Sequence, residues 1–328
     1  MDSPSAHDFG HRERRSLFSN LEWSDKVARA GNIQPGSTAA DLTPSRMIRA
    51  VSIVLFLVAV TLLLLPFQVI GIVFNNRLQR IVPHIYHRVL CAVIGVRVRE
   101  IGKRSNDSPV LILSNHVSWL DICVIGAVTP AVFVAKHEIA GWPVFGWLAK
   151  LQRSIFIDRQ ARHRTGAATE EIAERMLGGD AVVLFAEGTS SNGTHILPFR
   201  SALIGAVHHA LGETTHHTSV TVQPLSLAYV SMSGLPLGRA LRDRVAWYGD
   251  IDLIPHLVGV LSSGAIDVTV SWGEARAYDM NTNRKVIARD AELSVRRMTA
   301  AALRSPPQLT ASAARPSVAS GETAQGLA

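Results

Sequence analysis

Hydrophobic residues crowd into one unbroken run before they begin to alternate with polar ones. The run is Val51–Phe74, VSIVLFLVAVTLLLLPFQVIGIVF, and it holds no charged residue. As a helix its 24 residues reach about 36 Å, more than the ~30 Å of a bilayer's hydrocarbon core. Arg46 and Arg49 flank one side, Arg77 and Arg80 the other, so their charged ends can reach headgroups. Basic residues on both flanks leave the orientation open. Pro66 and Gly71 leave two geometries: a kinked spanning helix, or a segment Val51–Leu65 that dips in and turns back. A buried helix of a soluble core is the poorer reading, because the run is too long and too uniformly apolar. Residues 1–46 are polar and aperiodic, broken by Pro4, Pro35, Gly36 and Pro44. They are expected to form a flexible tail, and residues 47–80 a membrane-anchoring helical segment.

From Pro109 to Trp272 the pattern changes to short apolar runs separated by longer helical stretches. Strands are expected at Val110–Ser114, Val132–Ala135, Ser154–Ile157, Ala181–Phe185, Val220–Tyr229 and Val245–Tyr248. Ile266, Val268, Val270 and Trp272 alternate with polar residues, which predicts a strand with one wet face. Pro224, inside Val220–Tyr229, belongs on a sheet edge or at a bulge, because it has no N–H to give a ladder. Helices are expected at Trp119–Val128, Trp142–Leu151, Arg164–Leu177, Arg200–Leu211 and Arg284–Leu303. The alternation predicts an α/β fold: a mixed sheet flanked by helices, preceded by the membrane-embedded segment, over residues 81–304. Residues 305–328, rich in Pro, Ala, Ser and Thr, read as a disordered tail.

Composition sharpens this picture. A chain of 328 residues with 47% hydrophobic and 18% charged residues is not disordered throughout. Two cysteines, Cys91 and Cys123, exclude a disulfide framework and a multi-Cys zinc site. A formal charge of +7 calls for an anionic partner: nucleic acid, a membrane surface or a phosphorylated ligand. The apolar excess favours the membrane.

Four segments carry chemistry. In LILSNHVSWLD, Leu111–Asp121, an apolar strand runs into His116, and Asp121 follows five residues later. The two meet if His116 lies in the turn after the strand and Asp121 in the first turn of the next helix. The carboxylate then fixes the imidazole tautomer and leaves the other nitrogen free to take a proton. In VVLFAEGTSSNG, Val182–Gly193, a buried strand ends on Glu187-Gly188-Thr189, where α/β sheets bind ligands. In RSIFIDRQARHR, Arg153–Arg164, Arg159 directly follows a strand, and a guanidinium fork suits phosphate. The fourth segment is VTVQPLSLAY, Val220–Tyr229. Two histidine pairs, His208-His209 and His216-His217, lack the neighbours that complete a metal site, so no metal is expected. His137-Glu138 does not continue to H-E-x-x-H, because Gly141 stands where the second His would be. His84, His87, His195 and His256 read as ordinary loop or helix residues.

Together these segments resemble the lysophospholipid acyltransferase family, whose four ordered blocks are all matched in order. Asn115, His116 and Asp121 match an N-H-x4-D block, and Ile155–Arg159 an I-F-I-D-R block. Phe185–Thr189 with Pro198–Arg200 match F-P-E-G-T followed by P-F-K, and the strand around Pro224 matches the fourth. Lys136–Lys150 is similar to the family's stretch between its first two blocks. The resemblance covers about Leu90–Leu303, and four blocks in order are far more specific than any one.

The resemblance implies that His116 deprotonates an acceptor hydroxyl, which attacks an acyl thioester directly, and that Asp121 orients His116. No acyl-enzyme is implied, and no G-x-S-x-G elbow is present. Arg159 is implied to bind phosphate or a polar head, and Asn115, Glu187, Gly188, Thr189 and Arg200 to shape the acceptor site. The donor is implied to be a thioester of acyl carrier protein or coenzyme A, a co-substrate rather than a resident cofactor. The implied surroundings are membrane lipid at a bacterial inner membrane, with the site facing the cytoplasm. Three positions depart from the family: Ala186 for Pro, Arg200 for Lys, and Ser190 where phosphatidate-forming members carry Arg. The last removes a phosphate ligand. EGTSSNG, LPFRSAL, VQPLSLAY and RVAWYGDIDLIPHL are also similar to a bacterial branch acylating lyso-ornithine lipid, whose head is an amino acid without phosphate. Lysophosphatidate and lyso-ornithine lipid both stay open as acceptors. Two other readings compete: a non-enzymatic membrane-tethered binder of anionic lipid or nucleic acid, and a lipid hydrolase using the same His and Asp. The basic residues carry no nucleic-acid motif, so nucleic acid is not an expected partner.

Overall fold

The structure, a computed structural model, describes residues 43–158, 165–212 and 218–304. Residues 1–42 and 305–328, which hold most of the expected tails, lie outside the described residues, as do Arg159, Arg162, Arg164, His216 and His217.

Helix α1, Pro44–Val73, opens with a proline in its first turn, where no N–H is needed. It starts inside the segment expected as a tail and runs unbroken through Pro66. The chain turns back only after Val73, and α2, Leu78–Ile94, returns along α1. Gly71 permits this close pairing, since a Cβ there would collide with the backbone of Leu78 and Gln79. α2 packs on α1 and also on the next helix of the domain, so the boundary expected at residue 80 falls inside one packed element. The outer face of α1 is apolar and uncovered: Leu55 is 65% exposed, Leu62 64% and Leu63 67%. The helix is long and apolar enough to cross a membrane.

The domain follows as β1 (Val96–Ile101), β2 (Val110–Ser114), α3 (Leu120–Val128), β3 (Val132–Lys136), α4 (Phe145–Leu151), β4 (Ile155–Ile157) and α5 (Thr165–Leu177). Then come β5 (Ala181–Phe185), α6 (Ala206–Gly212), β6 (Val220–Met232), β7 (Leu235–Pro236), α7 (Leu253–Ser262), β8 (Ile266–Trp272), β9 (Arg276–Tyr278) and α8 (Arg284–Arg304). The sheet runs β1-β8-β6-β2-β5-β3-β4, with β7 and β9 also paired to β6. β6, β2, β5, β3 and β4 are mutually parallel, and β8 is antiparallel to β6. The sheet is therefore mixed. β2 and β5 are buried at every position, as unbroken Val, Leu and Ile runs require when both faces are covered. One core lies under α2, α3 and α7, and a second under α5, α6 and α8.

Several expected elements differ. Val245–Tyr248 is not a strand: Trp247 N–H donates to Val117 O at 2.9 Å, but no ladder follows. β8 has no wet face. Thr269 and Ser271 are buried, and Ser226, the cross-strand neighbour of Ser271, bonds Thr299 of α8 at 2.7 Å. Pro224 lies at neither an edge nor the β6 bulge, which falls at Tyr229/Ser231. It sits where the neighbour of β6 changes from β9 to β8, and its missing N–H faces that corner. The expected helix at Trp142–Leu151 begins only at Phe145, because Val144 takes φ +63. The one at Arg200–Leu211 begins as a 3-10 turn at Leu203.

Candidate active site

The strand-to-helix turn after β2 builds the site. Asn115 leaves the strand first, and both ends of its amide are spent on β6. Its Nδ2 donates to Leu227 O at 2.9 Å, and Leu227 N–H donates to its Oδ1 at 2.8 Å. The chain is thereby pinned to the sheet one residue before His116. Asn115 is fully buried, and its two bonds to Leu227 hold the turn in place.

His116 lies in the turn and Asp121 in the first turn of α3. Nδ1–H of His116 donates to Asp121 Oδ2 at 2.8 Å. The same oxygen accepts the backbone N–H groups of Val117 at 2.6 Å and Ser118 at 3.0 Å. Oδ1 accepts the hydroxyl of Tyr229 at 2.7 Å. A fully buried carboxylate thus has four donors, which offsets the cost of taking its charge out of water. Burial pushes the Tyr229 hydroxyl well above its ordinary pKa, and the neighbouring Asp121 adds to this, so Tyr229 stays a donor. The imidazole of His116 stacks on Phe185, centroids 4.1 Å apart and planes 18° from parallel. Its Nδ1 is committed, and Nε2 has no partner among the described residues.

Glu187 supports the same turn from the end of β5. Oε1 accepts the N–H of His116 and Oε2 that of Leu197, both at 2.8 Å. Burial raises its pKa from 4.5 to about 7, with the two backbone donors opposing the rise. Both carboxylate oxygens are engaged with backbone, so Glu187 braces the site. Gly188 takes φ +74, and a Cβ there would stand 2.9 Å from Cδ of Arg200. Arg200 is exposed, lies over this glycine and gives its backbone N–H to Ala186 O at 2.8 Å. Thr189 and Ser190 line the cavity beside His116. Arg159 lies outside the described residues.

That cavity has a volume of about 560 Å³. His116 and Trp119 stand on its wall, and Leu65, Leu90, Phe133 and Phe145 make it mostly apolar. α1 and α2 form one side of it, so the long apolar helix is also a wall of the site. The sequence alone neither places those helices there nor marks Tyr229 as a partner of Asp121. The signal for Tyr229 was present, as the last residue of VTVQPLSLAY on a buried strand. Among the described residues no three His, Cys, Asp or Glu side chains group closely enough to hold a metal.

Comparison with known proteins gives the following. A family model described as acyltransferase matches residues 95–228. The lyso-ornithine lipid O-acyltransferase of Brucella abortus is 44% identical over 256 residues, covering 78% of this chain and 96% of that one. The protein of the same description from Rhizobium meliloti is 42% identical, covering 76% and 85%. A 1-acyl-sn-glycerol-3-phosphate acyltransferase of Neisseria gonorrhoeae is 29% identical, covering 60% and 77%. The crystal structure of a 1-acyl-sn-glycerophosphate acyltransferase from Thermotoga maritima shares the fold, with a TM-score of 0.53 and 18% identity over 80% of this chain and 99% of that chain.

Proposed function

This chain belongs to the acyltransferase family, and from that premise we propose that it is a membrane-associated O-acyltransferase whose acceptor is lyso-ornithine lipid. Transfer of an acyl group to a lysolipid is common to the relatives' descriptions. The finer choice of acceptor rests on the higher identity to the lyso-ornithine lipid enzymes and on Ser190, which offers no cation for an acceptor phosphate.

The observation that carries the chemistry is the His116–Asp121 pair at the wall of the apolar cavity. Asp121 holds Nδ1–H, so Nε2 is the basic nitrogen. Nε2 takes the proton of the acceptor hydroxyl as that oxygen attacks the thioester carbonyl of acyl carrier protein or coenzyme A. The C–O bond forms and the C–S bond breaks. The imidazolium, steadied by Asp121, returns its proton to the departing thiolate. No covalent acyl-enzyme forms. The apolar cavity accommodates an acyl chain, and α1 keeps the site at the surface from which a lysolipid arrives. Arg159 supplies the charge for the donor's phosphate. The site faces the cytoplasm from the inner membrane, where both donors are available.

Offering labelled acyl donor with lyso-ornithine lipid and lysophosphatidate in parallel tests the acceptor. Acylation of lyso-ornithine lipid at least tenfold faster is the expected result. Preference for lysophosphatidate contradicts the acceptor. Free fatty acid with no acylated lipid contradicts transfer itself and favours hydrolysis.

A further inference from the structure

The arginine-rich segment that reads as one block in the sequence is divided by β4. Arg153 precedes this strand and Arg159 follows it. β4 is parallel to β3, and β3 to β5, which is parallel to β2. Arg153 therefore lies where these strands begin, whereas His116 lies where β2 ends. Five residues at about 3.3 Å each set the two ends roughly 16 Å apart.

A second cavity, of about 300 Å³, opens at that far end. The side chains lining it supply four guanidinium groups, from Arg77, Arg80, Arg104 and Arg153, and one carboxylate, from Asp180. Asp180 is buried and holds two of the four: Arg80 Nε at 2.6 Å and Arg153 Nη2 at 2.9 Å. The other two meet no carboxylate among the described residues. Arg77 makes no side-chain hydrogen bond or ion pair among the described residues. Arg104 gives Nη1–H to Thr129 Oγ1 at 2.6 Å, while its Nε is buried without a partner. Arg153 is also held at φ +62, in the left-handed region that a side chain rarely adopts. Four guanidinium groups against one carboxylate leave the lining of this cavity with an excess of positive charge.

Its surroundings name the ligand. Arg77 and Ile81, which line the cavity, belong to the turn and first turns after α1. Val73 and Phe74, just before them, are 69% and 72% exposed. The mouth thus adjoins the apolar end of α1, at the level where a bilayer presents phosphate. We propose that this cavity binds a phosphate group supplied by an anionic membrane phospholipid. Arg77 and Arg104 contact the phosphate, and Asp180 holds Arg80 and Arg153 in place behind them. The site lies away from His116, although Pro83 and Gln152 line both cavities.

The test uses the full chain in neutral detergent, titrated with dihexanoyl phosphatidylglycerol, dihexanoyl phosphatidylcholine and inorganic phosphate. Wild type, Arg77→Ala, Arg77→Ala/Arg104→Gln and His116→Ala are compared, and melting temperatures report folding. The expected result is phosphatidylglycerol binding that weakens at least tenfold in the double variant and about threefold in Arg77→Ala, with His116→Ala unchanged. Arg77 is exposed, so its variant stays informative if the double variant does not fold. Phosphatidylglycerol binding indifferent to Arg77 overturns the site. Inorganic phosphate or phosphatidylcholine binding as tightly as phosphatidylglycerol, with the same arginine dependence, overturns the anionic lipid as the source.

Discussion

Tyr229 donates its hydroxyl to Asp121 Oδ1 at 2.7 Å, while His116 donates to the other oxygen of the same carboxylate. The bulged strand β6 is thereby coupled to the turn after β2, and a buried residue of β6 helps to orient the imidazole through Asp121. Removing this hydroxyl leaves Asp121 short of one donor in a fully buried place. A hydrogen bond to a charged group is worth about 1.5–3 kcal/mol, so Tyr229→Phe is expected to lower kcat about tenfold. KM for the acceptor should change little. A raised KM with unchanged kcat would assign Tyr229 to substrate binding instead.

Asn115 gives a second, separable effect. Its amide closes two hydrogen bonds to Leu227, and Asn115→Leu opens both. The buried Leu227 N–H and C=O then lose their side-chain partner, at a cost of about 1–3 kcal/mol each. The expected outcome is a clear drop in melting temperature together with lower kcat. An Asn115→Leu protein of wild-type stability that has lost only acceptor affinity would show that Asn115 contacts the ligand.

Glu187 predicts a pH dependence. Its carboxyl is buried, and its pKa rises from 4.5 to about 7. A carboxyl with a raised folded-state pKa holds its proton more tightly in the folded chain than in the unfolded one. Its favourable contribution is full below about pH 4.5, falls as pH rises, and is gone above about 7. Glu187→Gln removes this titration. The stability of wild type minus that of Glu187→Gln should therefore fall by about 3 kcal/mol between those limits and stay flat above them. Denaturant melts at a series of pH values measure it, and a difference that grows with pH would refute the assignment.

Gly188 tests the geometry beside the base. Ala at this position meets both φ +74 and a Cβ contact of 2.9 Å to Arg200 Cδ. Gly188→Ala is expected to cost about 1–2 kcal/mol of stability and to displace the Arg200 side chain. Pairing it with Arg200→Ala should relieve part of that loss, because only the backbone strain then remains. Strict additivity in the double variant would show that the contact carries no energy.

The parts of the fold legible in the sequence are those whose burial is the same on both faces. β2, β5 and the start of β6 announce themselves as apolar runs, and the five-residue spacing of His116 and Asp121 places them on opposite sides of one turn. What escaped depends on packing between distant segments. α2 buries Gln79 and His87 on the same face as Val82, Leu90, Cys91 and Ile94, and its role as a wall of the cavity follows from packing against α1 and α3. β1 reads as a charged stretch, because Arg97 pairs across the sheet with Asp267 at 2.6 Å. Glu187 and Asn115 look like ligands in a motif and are engaged with backbone in three dimensions. Arg153–Arg164 reads as one basic block in the sequence, but Arg153 pairs with Asp180 at the start of β4.

In the proposed mechanism His116 removes the acceptor proton for direct acyl transfer. This step is tested most directly by the rate at which the His116→Ala protein acylates lyso-ornithine lipid, with its melting temperature and membrane association measured alongside. General base catalysis contributes about 10²–10⁴-fold, so the rate should fall at least a hundredfold while both other properties stay at their wild-type values. A folded, membrane-associated His116→Ala protein that still transfers acyl groups within a factor of about ten of wild type would contradict the account.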